Sequence, residues 1–513
     1  MASGRAVGID LGTTYSAVAV VDEYGKPVIL KNSDGQTTTP SVVFFDPPNF
    51  VIGETAVQST ITDSDRVVQF VKRFMGQTGY RVHIGDRDYS PQFVSALILR
   101  KIVQDAQVEL GGEEIVKAVI TVPAYFTENQ RHATLEAGQM AGLQVLRIIN
   151  EPTAAALSYG MTRRGRRRNC LVYDLGGGTF DVTILAIDDD ELNVLSIGGD
   201  HHLGGKDFDD RIMNFVEEQI LEKYGVDISE DREIEAELRL KAEAAKRQLT
   251  GRSSVPIALK VRKIDDDGND TGISIPAKIE LSRETFKGIV SDLLGRTEML
   301  LEAVFAKAGL DWDQIDDVLC VGGSSRMPMV SEMLERVSGK KSLLHDPDEC
   351  VAKGAALQAA LLSRDENVPR VSVGHVLSHS LGIAVMKGGQ AVIDHVVPAL
   401  TRLPVQQTRE GYTTTVDNQI VVQIRVYEGE STDLASYGKG PIGVFDLNTS
   451  PPRPKGQPKL SVAFHCDENG RIMAVARDRD TGQESRTVIA LQSSRSNDET
   501  LEEAKILAEA TVS

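Results

Sequence analysis

Two stretches of this chain share one design: Ile9-Asp10-Leu11-Gly12-Thr13-Thr14 and Tyr173-Asp174-Leu175-Gly176-Gly177-Gly178-Thr179. In each, an apolar run that predicts a β-strand ends in Asp-Leu-Gly, a glycine or threonine turn follows, and a second apolar run begins. Glycine lets several backbone N–H groups of a turn point into one concavity, where they can bind a phosphate. Either turn alone is better explained as an ordinary hairpin. Because the design occurs twice, we predict a duplicated phosphate clamp.

An aspartate ends the first strand of each stretch, Asp10 in one and Asp174 in the other. A carboxylate at that point repels a phosphate unless a cation lies between them. Mg²⁺ prefers carboxylate, water and phosphate oxygens. The two aspartates therefore predict a hydrated magnesium ion.

A third glycine turn, Val321-Gly322-Gly323-Ser324-Ser325-Arg326, follows the apolar run Asp317–Val321 and would let the chain lie against a flat ring or a sugar. The motifs of the rival phosphate-binding folds are absent. The sequence has no GxxxxGK[ST] and no GxGxxG that opens a predicted helix, so neither a P-loop enzyme nor a Rossmann dehydrogenase fits.

Composition excludes several classes of protein. The chain has 513 residues, with 56 Lys and Arg against 74 Asp and Glu and a formal charge of −18. Nucleic-acid binding needs clustered basic residues, and the one dense run, Arg163–Arg168, is interpreted as a solvated loop, with a docking patch as the alternative. Four cysteines without a CxxC pair indicate a reducing compartment. With no signal sequence and no apolar run near the roughly 20 residues that span a bilayer, we expect a soluble, cytoplasmic protein.

Strand and helix patterns alternate through most of the chain, and strand patterns follow them. A helix is predicted after Thr127, where Gln130 completes a capping box, and a longer one over about Arg232–Leu249. Asn469-Gly470 predicts a hairpin in the later region. We predict an α/β domain, a polar linker, a β domain and a short acidic helix, over residues 1–363, 364–379, 380–494 and 495–513.

Longer motifs surround these turns, in the order and at about the spacing of one known family. They are Gly8 to Ser16, Thr121 to Phe126, Asn150 to Ala156, Asp174 to Asp181, His202 to Asp209 and Gly322 to Arg326. The chain resembles the DnaK-type (seventy-kilodalton heat-shock) chaperones from about residue 5 to 505. The fold class that this implies is α/β, a duplicated actin-like (ribonuclease-H-like) ATPase domain followed by a β-sandwich peptide-binding domain and a short helical stub.

The resemblance assigns roles in ATP hydrolysis, with ATP or ADP, Mg²⁺ and K⁺ as the implied cofactors. Asp10 and Asp174 match the carboxylates that hold the hydrated magnesium. Lys72 matches the lysine that reaches the γ-phosphate and its attacking water, where its charge offsets the charge of the transition state. Without the family, Lys72 would be interpreted as a surface lysine. The implied catalytic residues are Lys72, Glu151, Asp174, Thr179 and Asp181. Of these, Glu151, Thr179 and Asp181 match residues that position water and cations.

The implied nucleotide-binding residues come from the three turns, one helix, and the segments that contain Gly204-Gly205 and Asp348. Four of them, Glu243, Lys246, Arg247 and Thr250, recur at i, i+3, i+4 and i+7 and so share one helical face. Without the resemblance, a solvated face with ion pairs explains this spacing equally well. The set is Gly12, Thr13, Thr14, Tyr15, Gly176, Gly177, Gly178, Gly204, Gly205, Glu243, Lys246, Arg247, Thr250, Gly322, Gly323, Ser324, Arg326 and Asp348. Pro123 and Arg131 match the family's allosteric relay between domains.

The β domain resembles a sandwich that holds extended apolar peptides by strand addition. Val421 and its neighbours in Tyr412–Ile424 are expected to line the peptide pocket, with ordinary sandwich core as an equal alternative. The implied partners are unfolded or extended apolar polypeptides, a J-domain co-chaperone and a nucleotide-exchange factor, with no nucleic acid and no membrane.

The sequence departs from the family pattern at three places. Val371–His375 stands where the family has a run of leucines and an acidic residue. Each Leu replaced forfeits about 1.5–3 kcal/mol of burial, so we expect weaker coupling between the domains. Thr162–Asn169 is strongly basic, and Lys206 occupies a position that is usually acidic. The final helix is too short for the family's lid, so we expect fast peptide exchange in both nucleotide states.

We therefore expect an ATP-dependent chaperone that hydrolyses ATP and binds extended apolar segments of unfolded proteins, with weakened coupling and no lid. The alternative is an ATP-regulated binding module for one dedicated partner protein, which the altered linker and missing lid favour. A small-molecule kinase or a filament-forming actin relative would leave the β domain unexplained.

Overall fold

Residues 5–161 form lobe I of the α/β domain. A computed structural model describes residues 4–77, 79–161, 167–188, 190–264, 270–438, 440–468, 470–489 and 497–513. The strands of lobe I are β1 (Arg5–Asp10), β2 (Tyr15–Val21), β3 (Pro27–Leu30), β4 (Thr39–Pro40), β5 (Val43–Asp46), β6 (Asn49–Ile52), β7 (Val67–Val68), β8 (Val82–Ile84), β9 (Arg87–Tyr89), β10 (Ile115–Val122) and β11 (Gln144–Asn150). Its helices are α1 (Glu54–Gln58), α2 (Pro91–Glu109), α3 (Glu128–Met140) and α4 (Glu151–Met161).

Residues 168–362 form lobe II. Its strands are β12 (Arg168–Leu175), β13 (Phe180–Ile187), β14 (Glu191–Asp200), β15 (Ser254–Ile264), β16 (Asp270–Ser282), β17 (Asp317–Val321) and β18 (Leu343–Leu344). Its helices are α5 (Gly205–Tyr224), α6 (Arg232–Leu249), α7 (Arg283–Ile289), α8 (Ser291–Ala308), α9 (Pro328–Ser338) and α10 (Cys350–Leu362).

The main sheets of the two lobes have the same topology. Lobe I runs β3-β2-β1-β10-β11 and lobe II runs β14-β13-β12-β17-β18. In each, the strand that ends in Asp-Leu-Gly pairs antiparallel with the next strand and parallel with a later one. Asp10 and Asp174 therefore end equivalent strands, and the predicted duplication of an actin-like domain is confirmed.

Two predicted helices begin and end as the sequence indicates. Helix α3 follows the N-cap Thr127, and Gln130 closes the capping box. Helix α6 covers Arg232–Leu249, with the Asp231 side chain accepting hydrogen bonds from the first-turn backbone N–H groups of Glu233 and Ile234. Helix α6 contributes residues to the wall of the cleft between the lobes.

Helix α10 packs so closely against lobe I that only glycine fits at two contacts. A Cβ on Gly8 of β1 would lie 1.9 Å from the backbone N of Ala356, and a Cβ on Gly354 of α10 would lie 1.8 Å from the carbonyl O of Ala154 in α4. Both contacts are with backbone atoms rather than with flexible side chains, so neither can yield without moving a helix.

We expect Gly354→Ala to lower the free energy of unfolding by about 3 kcal/mol, the upper end of the cost of overpacking. The matched control is Gly295→Ala within α8, where a Cβ meets nothing within 4 Å. That substitution should stabilise the protein by about 0.5–1 kcal/mol because alanine is the better helix former. Denaturant titrations of both variants measure the difference, and equal unfolding midpoints would contradict the close helix contact.

The β domain is a sandwich of two four-stranded sheets. Its strands are β20 (Leu381–Lys387), β21 (Gln390–Val397), β22 (Val405–Tyr412), β23 (Val421–Glu428), β24 (Gly443–Asn448), β25 (Leu460–Cys466), β26 (Ile472–Asp478) and β27 (Glu484–Val488). The sheets run β21-β20-β23-β24 and β22-β25-β26-β27. Strands β25 and β26 form the predicted antiparallel hairpin, although Asn469 of its turn lies outside the described residues. Val421 is exposed, whereas Ile424 is buried in the sandwich core.

The predicted linker contains strand β19 (Ser372–Gly374), which precedes β20 in the chain. It pairs in parallel with β14, with Ser372 opposite Glu191 and Gly374 opposite Asn193. Val371 and Val373 are partly buried against the core between the lobes. Backbone pairing thus holds the segment on lobe II although its leucines are missing.

The last described segment lies on lobe I. It contains α11 (Asn497–Glu509) and β28 (Thr511–Val512), which pairs in parallel with β6. The Glu503 carboxylate accepts hydrogen bonds from the Ser90 N–H at 2.7 Å and the Ser90 hydroxyl at 2.9 Å. Leu507 is buried in the core of lobe I. The helix expected as a remnant of a lid therefore packs against the ATPase domain. No helix in the described ranges is long and apolar enough to cross a membrane.

Candidate nucleotide site

A cavity of about 360 Å³ opens between the two lobes, at the ends of β1 and β12. The predicted residues that line it are Asp10, Gly12, Thr13, Thr14, Tyr15, Lys72, Glu151, Asp174, Gly176, Gly177, Thr179, Glu243, Lys246, Arg247, Thr250, Gly322, Gly323, Ser324, Arg326 and Asp348. Residues from distant parts of the chain meet here because each turn follows a strand that ends at the cleft.

Three of the predicted glycines, Gly178, Gly204 and Gly205, do not line the cavity. They lie just behind it, where the turns pack closely against one another. A Cβ on Gly178 would lie 2.3 Å from the Thr13 side chain, and one on Gly204 would lie 2.6 Å from the backbone of Gly178. A Cβ on Gly205 would lie 2.6 Å from the Ser324 hydroxyl oxygen. A side chain at Gly178 would push the glycine turns of the two lobes apart, and side chains at Gly204 or Gly205 would separate the turns within lobe II.

Lys72 is buried, which excludes its interpretation as a surface lysine. It lies in a 3₁₀ turn, Val71–Phe74, of lobe I and is 4% exposed. Its Nζ donates a hydrogen bond of 2.5 Å to Oε1 of Glu151 at the start of α4. The amine is thus held at the cavity wall among carboxylates.

Three aspartates near Lys72 have raised pKa values. Burial, and then the neighbouring Glu151, raise the pKa of Asp10 to about 6 and that of Asp181 to about 8. The same two causes raise the pKa of Asp174 well above its usual range. Asp181 lies behind the cavity, where one of its oxygens accepts from the Tyr125 N–H at 3.1 Å. The centre therefore carries more carboxylates than cations to balance them.

The opposite wall of the cavity is built by α6 and the third glycine turn. Tyr15 of lobe I donates from its hydroxyl to Glu243 at 3.4 Å and accepts from Arg247 at 3.3 Å. Arg326 and Asp348 form an ion pair of 2.5 Å. These contacts place polar groups of both lobes around this end of the cavity.

Sequence reasoning missed several lining residues. They are Ser16, Ala17, Thr38, Phe70, Asp209, Met327, Pro347 and Val351. Asp209 could have been found from the sequence, because it ends the family motif His202–Asp209. In the structure its carboxylate accepts a hydrogen bond from Lys246 at 2.7 Å. The apolar members carry no chemical signal, and only the meeting of strands identifies them.

Comparisons with known proteins agree with this geometry. The family model described as Hsp70 protein matches residues 6–84 and 77–511. The chain belongs to the Hsp70 family. It is 41% identical over 488 residues to the chaperone protein DnaK of Thermosipho melanesiensis, covering 94% of this chain and 80% of the relative. It is 40% identical over 497 residues to that of Thermosipho africanus (96% and 81%) and 41% over 489 residues to that of Thermotoga neapolitana (94% and 80%).

Membership confirms the predicted type of protein. Hsp70 proteins are ATP-dependent chaperones and ATPases, and they bind ATP or ADP with Mg²⁺. The predicted family, fold class and ATPase activity of this Hsp70 chain are therefore correct at the level of the family.

The donor set of this Hsp70 site fits magnesium. Asp10 and Asp174 face the cavity. A divalent cation would offset both the burial and the repulsion by Glu151 that raise their pKa values. Within the described ranges no three His, Cys, Asp or Glu side chains form a ligand set. Magnesium is commonly held by one or two carboxylates, phosphate oxygens and several waters, so two aspartates suffice.

The two predicted relay residues lie at the border between this site and the sandwich. Pro123 is buried directly after β10. Arg131 of α3 donates to the Asn150 side chain and, at 3.1 Å, to the Ser378 hydroxyl of the segment before β20. Ser378 in turn donates to the Ala124 carbonyl at 2.9 Å. Helix α3, the end of β11 and the segment that leads into the sandwich are thus joined by hydrogen bonds.

Proposed function

We propose that this Hsp70 protein binds extended apolar segments of unfolded polypeptides and couples that binding to ATP hydrolysis. In this proposal residues 1–363 are the ATPase domain, 364–379 the linker, 380–494 the peptide-binding domain and 495–513 the short helical segment. A J-domain co-chaperone and a nucleotide-exchange factor pace the cycle, in the cytoplasm.

The chemistry proposed for the cavity is in-line attack of water on the γ-phosphate, which yields ADP and phosphate. Asp10 and Asp174 would hold the magnesium, which supplies charge neutralisation on the phosphate oxygens. The backbone N–H groups of the two glycine turns bind the phosphates. Lys72 offsets the charge that develops on the transferring group. Glu151, Thr179 and Asp181 orient water and a potassium ion, because in a loose transition state positioning matters more than base strength.

One observation carries the proposal of coupling: the linker is a strand of the ATPase sheet. Ser372–Gly374 pairs with β14, and the sandwich beyond it contacts lobe I. Nε2 of His379, the last residue of the linker, lies 2.9 Å from the Tyr125 carbonyl. Arg147 of β11 forms an ion pair of 2.9 Å with Glu468 of the sandwich. A change in the angle between the lobes would therefore act on the peptide-binding domain directly.

The test is single-turnover ATP hydrolysis by the full chain, with and without an extended apolar peptide and a J-domain protein. We expect each to stimulate the rate several-fold. The coupling variant is Gly374→Val, because a Cβ there would lie 2.7 Å from the Asn193 side-chain oxygen and 3.2 Å from the Leu192 carbonyl. It should keep basal hydrolysis and lose the stimulation.

The matched control is Gly438→Val in a loop of the sandwich, where a Cβ meets nothing within 4 Å. It should respond to peptide as the unchanged chain does. Clear hydrolysis without any response to generic apolar peptides would overturn the general chaperone and favour a binding module for one dedicated partner. Stimulation that survives in Gly374→Val would overturn the role of the linker strand.

A further inference from the structure

The turn that carries Lys72 is attached to lobe II on both of its sides. Phe70, which precedes the turn, has a left-handed backbone with φ of 59°. A non-glycine residue in that conformation is uncommon and must be held by its surroundings. Phe70 and Arg73, which flank the pair Val71-Lys72, both contact the first turn of α5 across the cleft.

Arg73 crosses to the second phosphate turn. It is 9% exposed, and its Nε donates to the carbonyl O of Gly178 at 2.9 Å. Lys72 and Arg73 are adjacent in one 3₁₀ turn, yet they point to different partners, Glu151 in lobe I and Gly178 in lobe II. The backbone that positions Lys72 is therefore tied to the turn that binds phosphate.

The guanidinium of Arg73 also binds the start of α5. It makes a bidentate ion pair with Asp207, one contact being 3.1 Å from Nη1 to Oδ1. Asp207 Oδ2 accepts from the N–H of Gly204 at 2.7 Å and so caps the helix. A bidentate arginine–carboxylate pair fixes orientation as well as distance, which a lysine at this position would not do.

Lys206 adds a contact on the Phe70 side. Its Nζ lies 5.6 Å from the centre of the Phe70 ring, within the range of a cation–π interaction. Asp210 holds the same amine at 2.6 Å. This contact needs a cation on α5. The lysine at position 206, where the family usually has an acidic residue, therefore also helps to attach the Lys72 turn to lobe II.

We propose that Arg73 is a positioning residue for ATP hydrolysis: by binding Gly178 and Asp207 it holds the turn that places Lys72 against the γ-phosphate when the lobes are closed. The proposal rests on the proposed role of Lys72. Arg73 does not line the nucleotide cavity, and neither does Gly178. Its loss should therefore slow the chemical step much more than it weakens nucleotide binding.

The experiment compares Arg73→Gln with the unchanged full chain. We expect the single-turnover rate to fall about 10- to 100-fold, the cost of misplacing a catalytic group by about 1 Å, while the Kd for ATP changes by less than about threefold. Arg73→Lys should restore part of the rate, since an amine can reach only one of the two partners. Asp207→Asn keeps an oxygen to cap Gly204 and removes the ion pair, and it should slow hydrolysis without adding to Arg73→Gln in the double variant.

The matched control is Arg66→Gln, which removes the exposed ion pair of Arg66 with Asp46 in the same lobe and should leave the rate unchanged. An unaltered rate in Arg73→Gln, or equal changes in rate and Kd, would overturn the proposal. Lys72→Met distinguishes the proposed catalytic role of Lys72 from the positioning role of Arg73. If that variant still hydrolyses ATP, the proposed role of Lys72 fails; if it is inactive and Arg73→Gln is not slowed, only the positioning role fails.

Discussion

Lys72→Met should lower the single-turnover rate of ATP hydrolysis by about 10²- to 10³-fold, the usual cost of removing one preorganised group that stabilises transition-state charge. The loss is that large because Lys72 is buried at the cavity wall and paired with Glu151 at 2.5 Å, so solvent cannot replace it. ATP binding should persist, since the phosphate turns and α6 remain. The rate is measured with enzyme in excess over ATP, and binding by titration calorimetry.

The same substitution should also destabilise the protein. Breaking a buried pair by removing one partner costs about 3–5 kcal/mol because the other charge stays behind. The double variant Lys72→Met/Glu151→Gln removes both charges and should regain most of that stability without regaining activity. Because Glu151 is itself a proposed catalytic residue, the double variant tests the stability cost alone, and a control elsewhere in lobe I tests whether lost stability lowers the rate.

The chain offers a matched control in Lys101, whose Nζ lies 2.7 Å from Asp105 in a mostly buried pair of lobe I, away from the cavity. Lys101→Met should lower stability and leave the rate of hydrolysis within about twofold, since it touches no group that faces the transition-state charge. Hydrolysis that persists in Lys72→Met at a rate similar to that of Lys101→Met would contradict the assignment.

Docking of the sandwich on the ATPase domain should weaken as the pH rises from about 4.5 to about 8. The interface contains two facing carboxylates: Glu428 at the end of β23 accepts hydrogen bonds from the backbone N–H of Glu128 at 3.1 and 3.2 Å. Burial, with smaller effects of neighbouring charges, raises the pKa of Glu128 to about 7 and that of Glu428 to about 8. Arg131 and Asp467 face Glu128 and act in opposite directions on its pKa.

The direction of this pH effect follows from which form of the carboxyl group, protonated or ionised, the docked state favours. A carboxyl whose pKa is raised in the docked state binds its proton more tightly there, so its contribution to docking is complete below about pH 4.5 and is lost as the pH rises through about 7 to 8. Each pKa unit corresponds to about 1.4 kcal/mol. Ionising even one of the two carboxylates should thus shift the docking equilibrium on the order of tenfold.

His375 acts in the opposite direction and limits the effect at low pH. Its Nε2 lies 3.3 Å from Nη1 of Arg147, so its neutral form fits the contact. Burial, followed by Arg147 and Arg131, lowers the pKa of His375 to about 3. This contribution is present above about pH 6.5 and is lost as the pH falls through about 3. Docking should therefore be strongest in mildly acidic solution.

Small-angle scattering of the full chain measures docking through the radius of gyration, which should increase at the higher pH. Glu428→Gln keeps an oxygen for the Glu128 N–H and cannot ionise, so it should reduce the increase. Glu410→Gln is the control, since Glu410 pairs with Arg479 on the exposed side of the sandwich. An increase of equal size in Glu428→Gln and the unchanged chain would count against the carboxylate pair.

Local patterns in the sequence predicted much of the fold and of the candidate site. The repeated Asp-Leu-Gly turns predicted the duplicated sheets, and the capping box at Thr127 predicted the start of α3, because both depend on residues within a few positions of one another. Family motifs identified most of the residues that line the cavity. Glycine carries particular information here, since at Gly177 and Gly178 only the absence of a Cβ lets the two phosphate turns meet.

Tertiary structure alone decided which isolated residues act together. Lys72 has no local signal, because its burial against Glu151 and the attachment of its turn through Arg73 depend on residues about 80 to 130 positions away. The linker docks without leucines since its backbone, rather than its side chains, completes the edge of a sheet. The final helix has an amphipathic pattern that fits any apolar surface, and only the packing of Leu507 and the pairing of β28 with β6 assign it to lobe I. Periodicity tells which face of an element is apolar, but the surface that covers that face is set by the assembled fold.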